Sequence, residues 1–153
     1  TLAVPDQVID YTHGRSSTFF TRTDGPVTHI DFTHPYCEAM RQRLLRAATA
    51  AGEPAAAGGT YAATQGPRLE TAAEINRLER DGADMVGMTG MPEAALAREL
   101  GLCYAAIVVV VNHAAGRGAS ARGISNADMT EVLRTAIARV CKVIEKLATL
   151  DGH

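Results

Sequence analysis

Gly82-Ala-Asp-Met-Val-Gly-Met-Thr-Gly-Met-Pro-Glu93 is an apolar run that turns straight into a helix start. Asp84 to Met88 reads as a short buried strand, and the helix behind Pro92 runs to about Leu100, where Gly101 stops it. Pro92 suits the first turn of a helix, where its missing N–H costs nothing, and Glu93 suits the positive helix end. Thr89 stands at the corner with a hydroxyl, and a hydroxyl beside free backbone N–H groups can hold an anion. An ordinary strand-to-helix turn uses the same residues, so the flanking sequence has to decide between the two.

Upstream, Thr60 to Thr64 is a strand, Gln65 to Thr71 a tight loop and Ala72 to Asp81 a helix. Downstream, Cys103 to Val111 is a continuous apolar, β-branched strand of the kind buried on both faces, ending at Asn112 and His113. Ala114 to Ser125 is a loop with three glycines, and a last helix spans Asn126 to about Leu150. Its apolar stripe is Met129, Val132, Leu133, Ile137, Val140, Ile144 and Leu147. Further out, Thr1 to Thr12 is a strand with a polar turn, Gly14 to Pro26 a surface loop, and Gly52 to Gly59 a small-residue turn. Tyr36 to Ala51 is a helix with Met40, Leu44, Leu45 and Ala48 on its core face and Arg41, Arg43 and Arg46 on the others. Strand–helix alternation means an α/β fold, one domain with a largely parallel, mixed central sheet flanked by helices. Ligands of such sheets bind at the carboxyl ends of strands, here the loops 65–71, 88–93 and 112–125.

At 153 residues the chain can bury a core, and 46% hydrophobic with 21% charged residues is ordinary for a globular protein. A net charge of −2 gives no basic field for nucleic acid or an anionic membrane, and Tyr104 to Val111 is too short to span a bilayer. Cys37, Cys103 and Cys141 are widely spaced without a CxxC pair, which favours reduced thiols and a cytoplasmic protein. The chain opens on Thr1 inside an apolar strand, which suggests the C-terminal portion of a longer protein.

His29 and His34 are five apart with no third ligand near, a poor spacing for metal. Gly116 and Gly118 do not follow a strand as GxGxxG, so no dinucleotide fingerprint is present. Glu70, taken alone, reads equally as a surface acid, Asn112 as a strand-end turn residue and Met88 as core.

Together, Gly66-Pro-Arg-Leu-Glu-Thr-Ala-Ala-Glu74, Gly82 to Glu93 and the Asn112 strand end resemble the trimeric purine nucleoside phosphorylase and methylthioadenosine phosphorylase family, in the family's order and over essentially the whole chain. The resemblance implies phosphorolysis: inorganic phosphate as co-substrate attacks C1′ of a purine nucleoside, with no metal or organic cofactor. Position by position it implies that Thr89 binds phosphate and that Met88 covers the ribose, with Gly87 admitting a close backbone approach. Leu69 replaces an aromatic against the base, Glu70 and Asn112 bind the base, and His29 enters a neighbouring subunit's site in a homotrimer. Met129, Val132 and Leu133 match the wall around the 5′ substituent.

The chemistry narrows this further. Glu70 as a carboxylate only accepts, which suits N1–H of a 6-oxopurine; the Asn112 amide can donate to O6 and accept from a protonated N7. Methylthioadenosine phosphorylases resemble the alternative with a carboxylate at the Asn112 position. Met129 stands where inosine and guanosine phosphorylases usually carry a His for the 5′-hydroxyl, and its thioether suits a methylthio group. The expected substrate is therefore 5′-methylthioinosine, with general inosine/guanosine or methylthioadenosine phosphorolysis as alternatives, and a non-catalytic nucleoside-binding trimer as the reading outside enzymes. The family's N-terminal part, with its Gly-rich phosphate loop and Arg-His contacts, has no counterpart in these 153 residues, so the isolated piece is expected to be inactive.

Overall fold

The computed structural model describes residues 1–21, 27–124 and 126–150, with only the backbone for 126–129. The strands are β1 (Leu2–Val4), β2 (Gln7–Asp10), β3 (Ala55–Ala57), β4 (Thr60–Ala63), β5 (Met85–Gly87) and β6 (Val108–Val109). The helices are α1 (Glu38–Ala50), α2 (Ala72–Arg80), α3 (Glu93–Glu99) and α4 (Asn126–Leu150), with one 3-10 turn at Gly118–Ser120.

The fold is α/β, and its strands form two three-stranded sheets, β3-β1-β6 and β2-β4-β5. Among the described residues three of the four pairings are parallel and that of β1 with β6 is antiparallel. The expected single strand at the start of the chain is thus split. Pro5 has no N–H to give a ladder, and at this point the chain leaves one sheet for the other. The partner strands cross over at the same level: Gly58 N–H donates to Val4 O at 2.9 Å, and Gly59 N–H donates to the Asp6 carboxylate at 2.9 Å. The 52–59 segment, expected as a turn only, therefore contains β3.

The 103–111 segment also departs from expectation. Only Val108 and Val109 are ladder residues, because β1 is their one partner, and the pairing is antiparallel. Among the described residues no second strand pairs with this segment, which lines a cavity, and its side chains are half-buried or exposed.

β4 shows why the site lies where it does. Alternate residues face opposite sides of a strand. Ala62 packs on Ile75 and Leu78 of α2, while Tyr61 and Ala63 face Tyr36, Met91 and Ala94 on the α3 side. A second cluster joins Leu2 of β1 to Ala47 and Ala48 of α1 and Val143 of α4. Leu2, Val4 and Val143 are fully buried, each worth roughly 1.5–3 kcal/mol by transfer.

Three further expectations are corrected. Cys37 and Cys103 form a disulfide across 66 residues, since the start of α1 lies beside the segment entering β6; Cys141 is free and exposed. Arg41, expected off the core face of α1, is 7% exposed, because its Nε donates to Pro5 O at 2.7 Å where the chain changes sheet. On α4, Ala136 and Val143 are buried, but Val132, Leu133, Ile137 and Ile144 are exposed: α1 covers one flank of the apolar stripe and nothing among the described residues covers the other.

Candidate active site

The loops after β4 and β5 and the end of the 104–113 segment meet around one cavity of about 1200 Å³. Of the residues expected to bind substrate, Leu69, Glu70, Gly87, Met88, Thr89, Asn112 and Leu133 line it. Val132 is exposed on α4 and does not line it, and neither does the exposed His29. The Met129 side chain lies outside the described residues.

Each wall is held by identifiable contacts. Glu70 sits after the cis Gly66–Pro67 bond, and the Thr64 hydroxyl donates to its Oε1 at 2.6 Å. Thr64 also joins β4 to β5, its N–H donating to Gly87 O at 2.7 Å. Behind Glu70, Thr71 caps α2 through a reciprocal box with Glu74, and Arg68 grips the Glu74 carboxylate at 2.7 and 2.9 Å. The Arg68 guanidinium, helped by the Thr71 N–H, holds the Glu74 carboxyl down at about 2.

Met88 packs against the other loop: a Cβ at Gly66, whose φ is +66°, would lie 2.5 Å from its sulfur. The methionine thus fills the joint between the two loops as well as facing the cavity. Gly87 lies against Tyr61. A Cβ there would lie 2.1 Å from the Tyr61 phenol oxygen. Thr89 is exposed at the cavity rim, but its backbone N–H is not free, donating to that same phenol oxygen at 3.3 Å. The helix behind it, α3, has seven residues and opens on Pro92, so the Thr89 hydroxyl, rather than a helix end, is the polar group offered here.

On the opposite side, Asn112 is half-buried and its Nδ2 donates to His113 O at 2.6 Å. Arg117 pins the following loop to α2 through Asn76 at 2.7 Å and Glu79 at 2.6 Å. Tyr36 and Tyr104 stack at 6.2 Å between ring centres beside the disulfide and complete an aromatic end of the cavity. Burial pushes both phenols above their ordinary range, so they stay neutral.

Sequence reading missed three residues. Thr64 and Tyr61 lie on a strand that was legible, yet nothing local marks where their hydroxyls point. Arg15 lies in a polar stretch read as surface loop. Its guanidinium instead reaches the carboxyl ends of β4 and β5, donating to Met88 O at 3.0 Å, Gln65 O at 3.2 Å, Thr64 O at 3.3 Å and also Met91 O. One side chain therefore clamps both site loops.

The chain belongs to the phosphorylase superfamily, which it matches over residues 1–149. It is 52% identical over 147 residues to a probable S-methyl-5'-thioinosine phosphorylase of Xanthomonas campestris pv. campestris, covering 96% of this chain and 58% of that protein. It is 56% identical over 137 residues to one of Pseudomonas syringae pv. tomato, covering 90% and 55%. A 6-oxopurine nucleoside phosphorylase of Pyrococcus furiosus is 43% identical over 144 residues, covering 91% and 54%. Among solved structures, an adenosine/methylthioadenosine phosphorylase from Schistosoma mansoni in complex with tubercidin superposes with a TM-score of 0.90 at 28% identity, covering 99% of this chain and 60% of that one. The chain thus spans little more than half the length of the curated relatives it matches.

Proposed function

We propose that this chain provides the base- and ribose-facing part of a nucleoside phosphorylase acting on 6-oxopurine nucleosides, 5′-methylthioinosine foremost. The observation that carries the reading is the placement of Glu70, Asn112 and Thr89 around one cavity, with Glu70 held by Thr64. The names of the thioinosine and 6-oxopurine relatives point to the same base.

In this reading a phosphate oxygen forms a bond to C1′ as the C1′–N9 bond breaks. The bonding electrons pass to the purine, which takes up a proton at N7 from solvent, balanced by the proton that the attacking hydrogen phosphate gives up, so that hypoxanthine and 5-methylthioribose 1-phosphate are formed. The Glu70 carboxylate accepts from N1–H. The Asn112 amide donates to O6 and accepts from N7–H, after exchanging its bond to His113 O for the base. Thr89 donates to phosphate, Leu69 and Met88 face base and ribose, Gly87 lies under them, and Met129, Val132 and Leu133 surround the 5′ group. The reaction so written needs phosphate but no metal or organic cofactor. We read the enzyme as a homotrimer in which His29 reaches a neighbour's site, with neither nucleic acid nor membrane as partner; the cytoplasmic placement loses the support of reduced thiols, since Cys37 and Cys103 are bridged. No helix among the described residues is long and apolar enough to cross a membrane.

Base release from methylthioinosine, methylthioadenosine and inosine at equal low concentration, with phosphate, tests this on the complete protein. Methylthioinosine should turn over fastest. Equal turnover of inosine would remove the 5′ assignment to Met129 and leave the base assignment standing, and a lead for methylthioadenosine would overturn the roles of Glu70 and Asn112. Ligand-dependent stabilisation without base release would instead make the protein a nucleoside binder.

A further inference from the structure

We propose that Tyr61 is a positioning residue that fixes the Thr89 hydroxyl as a hydrogen-bond donor toward a bound oxyanion. The inference rests on the reading of Thr89 as a phosphate contact. Tyr61 is 5% exposed on β4, and its phenol oxygen lies 3.3 Å from both the backbone nitrogen and the Oγ1 of Thr89.

The direction of these bonds follows from what each group can do. The Thr89 N–H can only donate, so the phenol oxygen is its acceptor. The phenol proton then has Thr89 Oγ1 as its protein partner in a part-buried bond, and giving up that bond has a cost. Donation from Tyr61 occupies a lone pair of Oγ1 and leaves the Thr89 proton pointing outward. Thr89 lines the cavity and is exposed there, so that proton faces the ligand space. The reverse arrangement, Thr89 donating to Tyr61, would turn lone pairs toward an anion and exchange the phenol's protein partner for the cavity that Tyr61 also lines.

Gly87 supports the assignment independently. Its φ lies outside the positive region, so its backbone conformation does not call for glycine. The requirement is space: a Cβ would meet the phenol oxygen at 2.1 Å and the ring carbon bearing it at 2.9 Å. The strand leaves out a side chain where the phenol passes on its way to Thr89.

The test measures KM for phosphate and for nucleoside separately in the complete protein. Tyr61→Phe should raise KM for phosphate by about fivefold to tenfold, leave KM for nucleoside unchanged, and add nothing further in a Thr89→Val background. If Thr89→Val raises the phosphate KM but Tyr61→Phe does not, the positioning role is overturned and the phosphate reading survives. If Thr89→Val leaves the phosphate KM unchanged, the phosphate reading fails and this inference falls with it. Equal rises in both KM values, additive with Thr89→Val, would make Tyr61 a packing residue only. Tyr61→Met, which also lacks the hydroxyl, replaces Tyr61→Phe should the latter not fold.

Discussion

Thr64 donates its hydroxyl to Glu70 Oε1 over 2.6 Å while its backbone N–H donates to Gly87 O over 2.7 Å. The residue expected to read the base is therefore anchored to the strand expected to lie under the sugar. Thr64→Val keeps the shape and the backbone bond but removes the hydroxyl. It should weaken 6-oxopurine binding by roughly 1 kcal/mol, about fivefold, with little change at the phosphate site. Isothermal titration with hypoxanthine checks this; unchanged affinity would show that Glu70 holds its place without help.

Asn112 carries the base preference in the proposed reaction. A carboxylate there accepts from an exocyclic amine but repels O6. Asn112→Asp should shift the kcat/KM ratio of methylthioinosine to methylthioadenosine by about tenfold to a hundredfold toward the amino base. A ratio that stays put in steady-state assays would remove Asn112 from base selection.

Arg15 bonds four carbonyls contributed by both site loops. Arg15→Ala should lower stability by about 1–3 kcal/mol and cut turnover, because part-buried carbonyls lose their partner. Arg15→Lys should rescue little, since an ammonium lacks the planar fork that reaches several acceptors. Denaturant unfolding of the three proteins, read beside kcat, separates these outcomes.

The Glu74 carboxyl titrates at about 2 in the folded chain against an ordinary 4.5. A carboxyl depressed on folding stabilises the fold above its unfolded value and loses that effect as pH falls through the folded one. The melting-temperature gap between the protein and Glu74→Gln should be constant above pH 4.5 and close as pH falls toward 2. A gap independent of pH would mean that Glu74 acts through shape alone.

The Cys37–Cys103 bridge closes a loop of 66 residues. Chain entropy alone assigns such a loop about 4 kcal/mol at the unfolded state's expense. Reductant should lower the melting temperature of the oxidised protein and leave a Cys37→Ser variant unaffected. Equal melting with and without reductant would show that the two thiols are not bridged in solution.

Local order was legible from the residues alone. Helical spacing in 36–51 and 126–150, the helix from Ala72 and the strand into Thr89 are written in neighbouring positions, because periodicity acts over one or two turns. Those local signals also bring Glu70, Thr89 and Asn112 to strand ends, and the family resemblance gave them their expected roles. What only the tertiary structure decided are the contacts between distant segments. These are the passage of the chain between two sheets at Pro5, the pairing of β6 against β1, the bridge between Cys37 and Cys103, the burial of Arg41, and the clamp made by Arg15. The Tyr61 phenol belongs with them: β4 alternation places the ring on the α3 side, but only the approach of β5, with glycine at 87, brings its oxygen to Thr89. Sequence spacing sets which face a side chain occupies. Which partner meets it depends on how segments far apart in the chain pack, and no local pattern encodes that.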